Sequence, residues 1–344
     1  MILLDLNKQQ LQEFLQENLR VKKFVADQVF AWLNKGASFD QMTNVSLSTR
    51  QKLSQIAIDK PVKIIETLTS KIDGTQKFLY QLHDGNVIEG VLMQYKYGNT
   101  LCVSTQVGCR MGCKFCASTI GGLVRNLTAG EILGQVVEVN ALGKGERFVT
   151  NVVLMGSGEP LDNYDNVTKF LSLLSSPDGL NVSQRNVSLS TCGLAPQIKQ
   201  LADDGYSVNL TLSLHSAKQE SRQEIMPIAN KYNLSELLQS ARYYFEKTGR
   251  RVIFEYTLID GVNDTYSDAL TLSSLLRNMS AHVNLIRLNP VKETKLKSCG
   301  ETNAKKFLGY LEKLKISATL RRQMGVDIQG ACGQLRRNYI ETNG

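Results

Sequence analysis

The sequence predicts an α/β protein in which a small N-terminal helical domain and a β-hairpin precede a parallel barrel or partial barrel. Three observations carry this. Apolar residues recur at helical spacing through residues 1–60. The period then changes to two on either side of Asp84-Gly85, and beyond residue 95 strand-like runs alternate with helical ones.

The elements follow in order. Leu11, Phe14, Leu15 and Leu19 form one helical stripe, and Val25, Val29, Trp32 and Leu33 a second. Thr75–Leu82 and Val87–Gln94 flank the turn dipeptide as hairpin strands. A boundary near residue 95 then divides an accessory domain, 1–94, from a core, 95–344. Strand-like runs in the core cover Leu101–Thr105, Asn151–Met155, Val187–Ser190, Asn209–Leu214, Val252–Leu258, Val283–Leu288 and Ser317–Leu320. Helices are expected after Thr128, where Glu131 completes a capping box, from Leu234 towards Lys247, and from Ala304 to Leu314. Six or seven βα units fit a barrel, and a doubly wound sheet fits almost as well. In either architecture, functional groups belong at the carboxyl ends of the strands.

Composition narrows the class. With 42% hydrophobic and 21% charged residues, the chain reads as an ordinary soluble globule. It shows no secretory signal and no run long enough to span a bilayer, so a cytoplasmic location and no membrane partner are expected. Of the net charge of +8, +7 lies beyond residue 94, which permits a polyanionic partner of the larger domain and equally fits simple solubility. Seven cysteines without a leader favour metal binding or catalysis over a disulfide scaffold.

Cys109-Arg-Met-Gly-Cys113-Lys-Phe-Cys116 has C-x3-C-x2-C spacing directly after the first core strand. Three such thiolates can hold three irons of a 4Fe-4S cubane and leave the fourth open. Zinc would want a fourth ligand nearby, and His83, His215 and His282 all lie elsewhere. Met155-Gly156-Ser157-Gly158-Glu159-Pro160 follows the second strand; Gly158 allows close approach of a ligand, and Glu159 can accept hydrogen bonds from an ammonium group. Ser190, Ser213-Leu214-His215 and Asn289 end later strands, as ligand contacts or as plain loop caps. Cys102, taken alone, reads as a packed thiol. Cys332, between glycines in Gly330-Ala331-Cys332-Gly333-Gln334, can instead reach over a barrel mouth.

The cysteine motif and the βα order resemble the radical S-adenosylmethionine (SAM) superfamily. Within it, the chain resembles the RNA methyltransferases of the RlmN type along nearly its whole length. The resemblance begins at Phe24-Val25-Ala26-Asp27-Gln28 and Trp32, runs through Leu101-Cys102-Val103-Ser104-Thr105-Gln106-Val107-Gly108-Cys109, and reaches Gly330–Leu335. It implies a partial (βα)6 radical SAM barrel, a 4Fe-4S cluster on Cys109, Cys113 and Cys116, and SAM held by Gly158, Glu159, Ser190, Ser213, Leu214, His215 and Asn289.

The resemblance also implies the chemistry. Carbon 2 of adenine is too electron-poor to attack a sulfonium methyl. Cys332 is first methylated by one SAM; a second SAM yields a radical that removes hydrogen from that methyl, and the methylene radical adds to the base. Cys102 resolves the resulting protein–RNA crosslink through a transient disulfide with Cys332, and Glu89 accepts the proton. Pro160 after Gly158-Glu159 matches the carbon-2 type; relatives acting on carbon 8 usually carry Ala there. The implied partners are 23S rRNA and tRNAs, with a reductant such as flavodoxin or ferredoxin, and a monomer is expected. Cys192 and Cys299 take no part, the former packed and the latter expected as an exposed bystander.

The sequence leaves two rival readings. Another radical SAM chemistry would want a second cluster, and Cys192, Cys299 and Cys332 lack clustered spacing. A non-enzymatic iron–sulfur regulator would want a basic recognition helix, and none stands out.

Overall fold

The computed structural model describes residues 1–143 and 148–335. Three helices open the chain: α1 (Lys8–Leu19), α2 (Lys23–Leu33) and α3 (Leu47–Ile56). Asn7 and Gln10 form a capping box at the start of α1, satisfying backbone donors that the first turn leaves open. The apolar stripes read from the sequence face inward, with Leu11, Leu15, Val29 and Leu33 buried.

Three antiparallel strands follow, β1 (Val62–Thr69), β2 (Gln76–Leu82) and β3 (Val87–Tyr95). β2 and β3 are the expected hairpin. β1 went unread because a bulge between Ile64 and Glu66 interrupts its alternation. The remaining strands are β4 (Gly98–Cys102), β5 (Gln106–Gly108), β6 (Leu123–Asn126), β7 (Asn151–Leu154), β8 (Val187–Thr191), β9 (Asn209–Ser213), β10 (Val252–Leu258), β11 (Ala281–Arg287) and β12 (Ala318–Leu320). The short hairpin β5–β6 stands apart. Every other strand lies in one sheet of order β1-β2-β3-β4-β7-β8-β9-β10-β11-β12.

From β4 to β12 all neighbours are parallel. Connecting helices are α4 (Ala129–Ala141), α5 (Tyr164–Ser175), α6 (Ala195–Asp203), α7 (Gln219–Ile225), α8 (Leu234–Thr248), α9 (Tyr266–Leu275) and α10 (Gly300–Lys313). Each strand–helix–strand crossover is what a parallel pairing demands. The sheet does not close among the described residues, so the fold is α/β with an open, partial parallel barrel.

β4 stops earlier than the expected Leu101–Thr105 run. There the Val103 amide still donates to Val153, but those of Thr105 and Gln106 turn to the Ser157 carbonyl, which draws the chain onto the glycine turn after β7. Thr128 and Glu131 form the expected capping box on α4. Arg125 joins that helix to the β2–β3 turn, meeting both Glu131 oxygens at 2.7 and 2.8 Å and Asp84 Oδ2 at 2.6 Å. The antiparallel strands continue the barrel sheet through the β3–β4 pairing. One apolar core runs from Leu11 and Val29 through Leu101, Leu189 and Phe254 to Phe307. Each such side chain contributes about 1.5–3 kcal/mol on burial.

Candidate active site

Gly108 is the last residue of β5 and turns the chain into the cysteine loop. Its φ is +77°, and a Cβ there would stand 2.0 Å from the Gly122 carbonyl oxygen, so a side chain is excluded. The Cys109 amide donates to that same oxygen at 3.1 Å. The loop is then pinned by Cys116 N–H to the Cys113 carbonyl and Lys114 N–H to the Ile225 carbonyl. Cys109, Cys113 and Cys116 all line a cavity of about 150 Å³ at the carboxyl ends of the strands.

The residues fit an iron–sulfur cluster. Burial and the other anions nearby hold Cys113 well above the usual thiol range and push Cys109 up to about 12, with burial the larger cause in each. Burial also raises Cys116. Three desolvated thiolates so close together would repel one another, and cationic iron relieves both costs. Among the described residues, no three Cys, His, Asp or Glu side chains converge tightly enough for a single ion; a cubane takes each thiolate on a separate iron and asks for a wider spacing.

The turn after β7 forms the opposite wall. Gly158 has φ +108° and its missing Cβ would meet Gln106 Cβ at 2.6 Å. Gln106 in turn accepts the Glu159 amide at 2.8 Å. The Glu159 carboxylate is buried and shared between the Leu161 amide at 3.0 Å and the Cys192 amide at 2.8 Å. Burial raises its pKa, and these hydrogen bonds oppose the rise. The carboxylate lines the cavity, where it can meet an ammonium donor.

Ser190, Ser213, His215 and Asn289 line the same cavity. Ser190 Oγ lies 3.3 Å from Glu255 Oε2, a carboxylate the sequence did not single out. His215 Nδ1 accepts the Thr257 amide at 3.0 Å, and burial, followed by Arg222, pushes its pKa down to about 3. The imidazole is therefore neutral, with its proton on Nε2. Leu214 behaves differently. It is fully buried and does not line the cavity; its carbonyl accepts from Arg222 Nε at 3.1 Å. Arg222 also reaches the carbonyls of Cys192 and Ser213, so a buried guanidinium braces the carboxyl end of β9.

A second cavity, of about 50 Å³, adjoins the first and contains both Cys102 and Cys332. Cys332 lines both cavities. The loop carrying it is fastened from three sides. Asn289 Nδ2 donates to the Cys332 carbonyl at 2.9 Å, the Ala117 amide to the Gly333 carbonyl at 2.8 Å, and Gln334 Nε2 to the Pro290 carbonyl at 3.0 Å. Arg321, just past β12, enters the second cavity and is anchored on Glu255 at 2.9 Å. Proximity to Cys332 is the largest cause raising its pKa. A cation at the carboxyl end of the last strand was the available sequence signal for this residue.

Glu89 lies on β3 outside both cavity walls, on the same face as Val91 and Met93, which line the second. Lys77 Nζ sits 2.7 Å from Glu89 and 3.4 Å from the Gln329 carbonyl, at the start of the Cys332 loop. Cys192 is packed as expected. Cys299 is not exposed: it is 7% accessible beside the first turn of α10, because the bridge from Ser298 to Ile259 draws its loop onto the sheet.

Comparison with known proteins agrees with this geometry. Residues 103–272 match the model of the radical SAM superfamily, and residues 1–58 that of the ribosomal RNA large subunit methyltransferase N-terminal domain. A Clostridium perfringens (strain 13) protein named "Probable dual-specificity RNA methyltransferase RlmN" is 52% identical, covering 99% of this chain and 98% of its own. The chain belongs to the RlmN family of radical SAM enzymes.

An RlmN relative from Clostridium novyi is 49% identical over 99% of both chains. Among solved structures, a radical SAM methyltransferase from Sphaerobacter thermophilus superposes with a TM-score of 0.94 at 39% identity, covering 98% of this chain and all of that one. RlmN membership accounts for both matched regions at once. No helix among the described residues is long and apolar enough to cross a membrane.

Proposed function

We propose that this chain methylates carbon 2 of adenosine in 23S rRNA and in tRNAs through a methyl-cysteine intermediate, using two SAM per turnover. One observation carries the reading. Cys332 borders both the cavity of Cys109, Cys113 and Cys116 and the cavity of Cys102, so one sulfur faces two chemistries. Family membership supports the RNA substrate, since the relatives are named dual-specificity RNA methyltransferases.

When bound on the three thiolates, the cluster and SAM supply one-electron cleavage of the sulfonium, and SAM is also the source of the methyl group. The chain's residues do the rest. Glu159, lining the cavity, orients the amino group of SAM, and Gly158, Ser190, Ser213, His215 and Asn289 surround the remainder. Leu214 contributes to that site through its backbone position only. Cys332 Sγ loses its proton and carries the methyl carbon that ends on the base. Once the adduct has lost the carbon-2 proton and one electron, which the cluster would accept, Cys102 Sγ gives up its own proton and attacks Cys332 Sγ; the Cys332–carbon bond breaks with its electron pair going to the carbon, which takes up a proton to become the methyl group, and a disulfide forms. An external dithiol or electron-transfer protein of the flavodoxin or ferredoxin class returns the reducing equivalents. Glu89 takes the proton from carbon 2. Arg321, held on Glu255, forms part of the wall around Cys332.

Residues 1–94 would grip folded RNA while residues 95–344 carry the chemistry on a flipped base. Pro160 favours carbon 2 over carbon 8. Digestion of RNA methylated in vitro, followed by chromatography of the nucleosides, tests the assignment: 2-methyladenosine is expected. A dominant 8-methyladenosine product would overturn the position and keep the mechanism, and unmethylated RNA would overturn both.

A further inference from the structure

The turn joining β3 to β4 reads Tyr95-Lys96-Tyr97-Gly98. Its two tyrosine rings stack with centroids 4.9 Å apart and planes within 6° of parallel. Tyr95 forms part of the wall around Cys102 and Cys332, while Tyr97 is 74% exposed. The turn is held rather than loose. Gly98, at φ +131°, packs so closely that a Cβ would stand 2.2 Å from Thr150 Oγ1, and Thr150 donates from both its amide and its hydroxyl to the Asn99 carbonyl, each at 3.0 Å.

A single exposed tyrosine needs no explanation. Here three features coincide. One face of the Tyr97 ring is already covered by Tyr95, so the pair presents a stiff aromatic surface to solvent. That surface is continuous with the wall of the cavity where the two reactive thiols meet. Cations flank it: Lys96 lies between the rings in sequence, and Arg321 and Arg322 line the same cavity. An aromatic face beside positive charge is the surface an unpaired nucleotide fits, the base on the ring and the phosphate on the cations.

We propose that Tyr97, backed by Tyr95, is the stacking platform for an unpaired base adjacent to the target adenosine. The inference rests on the RNA-methylation reading and names a surface that reading leaves unassigned. Drawing the target base out of its stack strips its neighbour of a stacking partner, and Tyr97 restores one at the cavity mouth. Stacking is tolerant of base identity because every base has a π-face. The platform therefore serves rRNA and tRNA alike, with no need for a shared sequence beside the adenosine.

The test uses reconstituted holoenzyme and an RNA stem-loop substrate with 2-aminopurine placed either immediately 5′ or immediately 3′ of the target adenosine. Wild-type enzyme should quench the fluorophore on one of the two sides. Tyr97→Ala should abolish that quenching and raise the RNA KM roughly 5- to 160-fold, the range for loss of one stacked base, with a smaller change in kcat. Tyr97→Phe should restore both, and the salt dependence of binding should keep its slope because no charge is removed. Iron content and thermal unfolding equal to wild type establish that Tyr97→Ala is folded. Wild-type affinity and quenching in Tyr97→Ala, or failure of Tyr97→Phe to rescue, overturns the platform. Wild-type enzyme that binds none of these RNAs overturns the methylation reading beneath it, a distinct outcome.

Discussion

Lys77 Nζ lies 2.7 Å from Glu89 Oε1, and the two side chains are only 7% and 9% exposed. An ion pair so far from water is costly to break, because the surviving charge stays in a low-dielectric site. Lys77 is placed between the strand that carries Glu89 and the loop that carries Cys332, through its contact with the Gln329 carbonyl. Lys77→Met should lower unfolding stability by about 3–5 kcal/mol. Lys77→Met combined with Glu89→Leu should recover most of that loss in thermal melts while remaining inactive on RNA. A single mutant that melts like wild type would show that the pair contributes nothing.

The cluster thiols offer the most direct chemical check. Anaerobically reconstituted protein should hold about four irons per chain with a thiolate-to-iron absorption band. Cys109→Ala, Cys113→Ala or Cys116→Ala should each remove most of the iron and all SAM cleavage. Normal cleavage by any of the three would remove that residue from the ligand set.

The two partner thiols differ in environment. Cys332 is exposed, whereas Cys102 is buried and pushed up to about 12, burial being the main cause and Cys332 the next. In the free enzyme, burial favours the neutral, less reactive thiol of Cys102. Brief iodoacetamide treatment at pH 8 should therefore alkylate Cys332 well before Cys102, read by peptide mass spectrometry. Equal labelling would contradict the described packing.

Arg321 is held on Glu255 at 2.9 Å and shares a cavity with Cys332. The guanidinium so held fixes one wall of the space around the Cys332 sulfur. Arg321→Gln should slow methyl loading of the protein several-fold by loosening that wall, while Arg321→Lys keeps part of the rate. Unchanged loading in Arg321→Gln would leave Arg321 without a role at Cys332.

Gly158 tests the turn that presents Glu159. An alanine there would combine φ +108° with a 2.6 Å approach to Gln106 Cβ. The backbone strain alone is on the order of 1–3 kcal/mol. Gly158→Ala should weaken SAM binding in calorimetry at least tenfold, since Glu159 is displaced together with the turn. Wild-type SAM affinity would show that the turn can relax without moving the carboxylate.

What the sequence by itself determined is local. The stripes at Leu11 and Val29, the hairpin around Asp84-Gly85, the Thr128–Glu131 capping box and the C-x3-C-x2-C spacing are each written within a few residues. Helical period, strand alternation and ligand spacing act over that range. The tertiary structure decided what depends on which strands become neighbours. It brought Cys102 on β4 and Cys332 past β12 to one cavity, set Arg321 against Cys332, and buried Lys77 with Glu89. It also turned Leu214 away from the cavity and buried Cys299. β1 escaped notice because a bulge breaks the period on which such a reading depends. Contacts between residues far apart in the chain carry no local signature, since they are selected by packing and backbone pairing over the whole core.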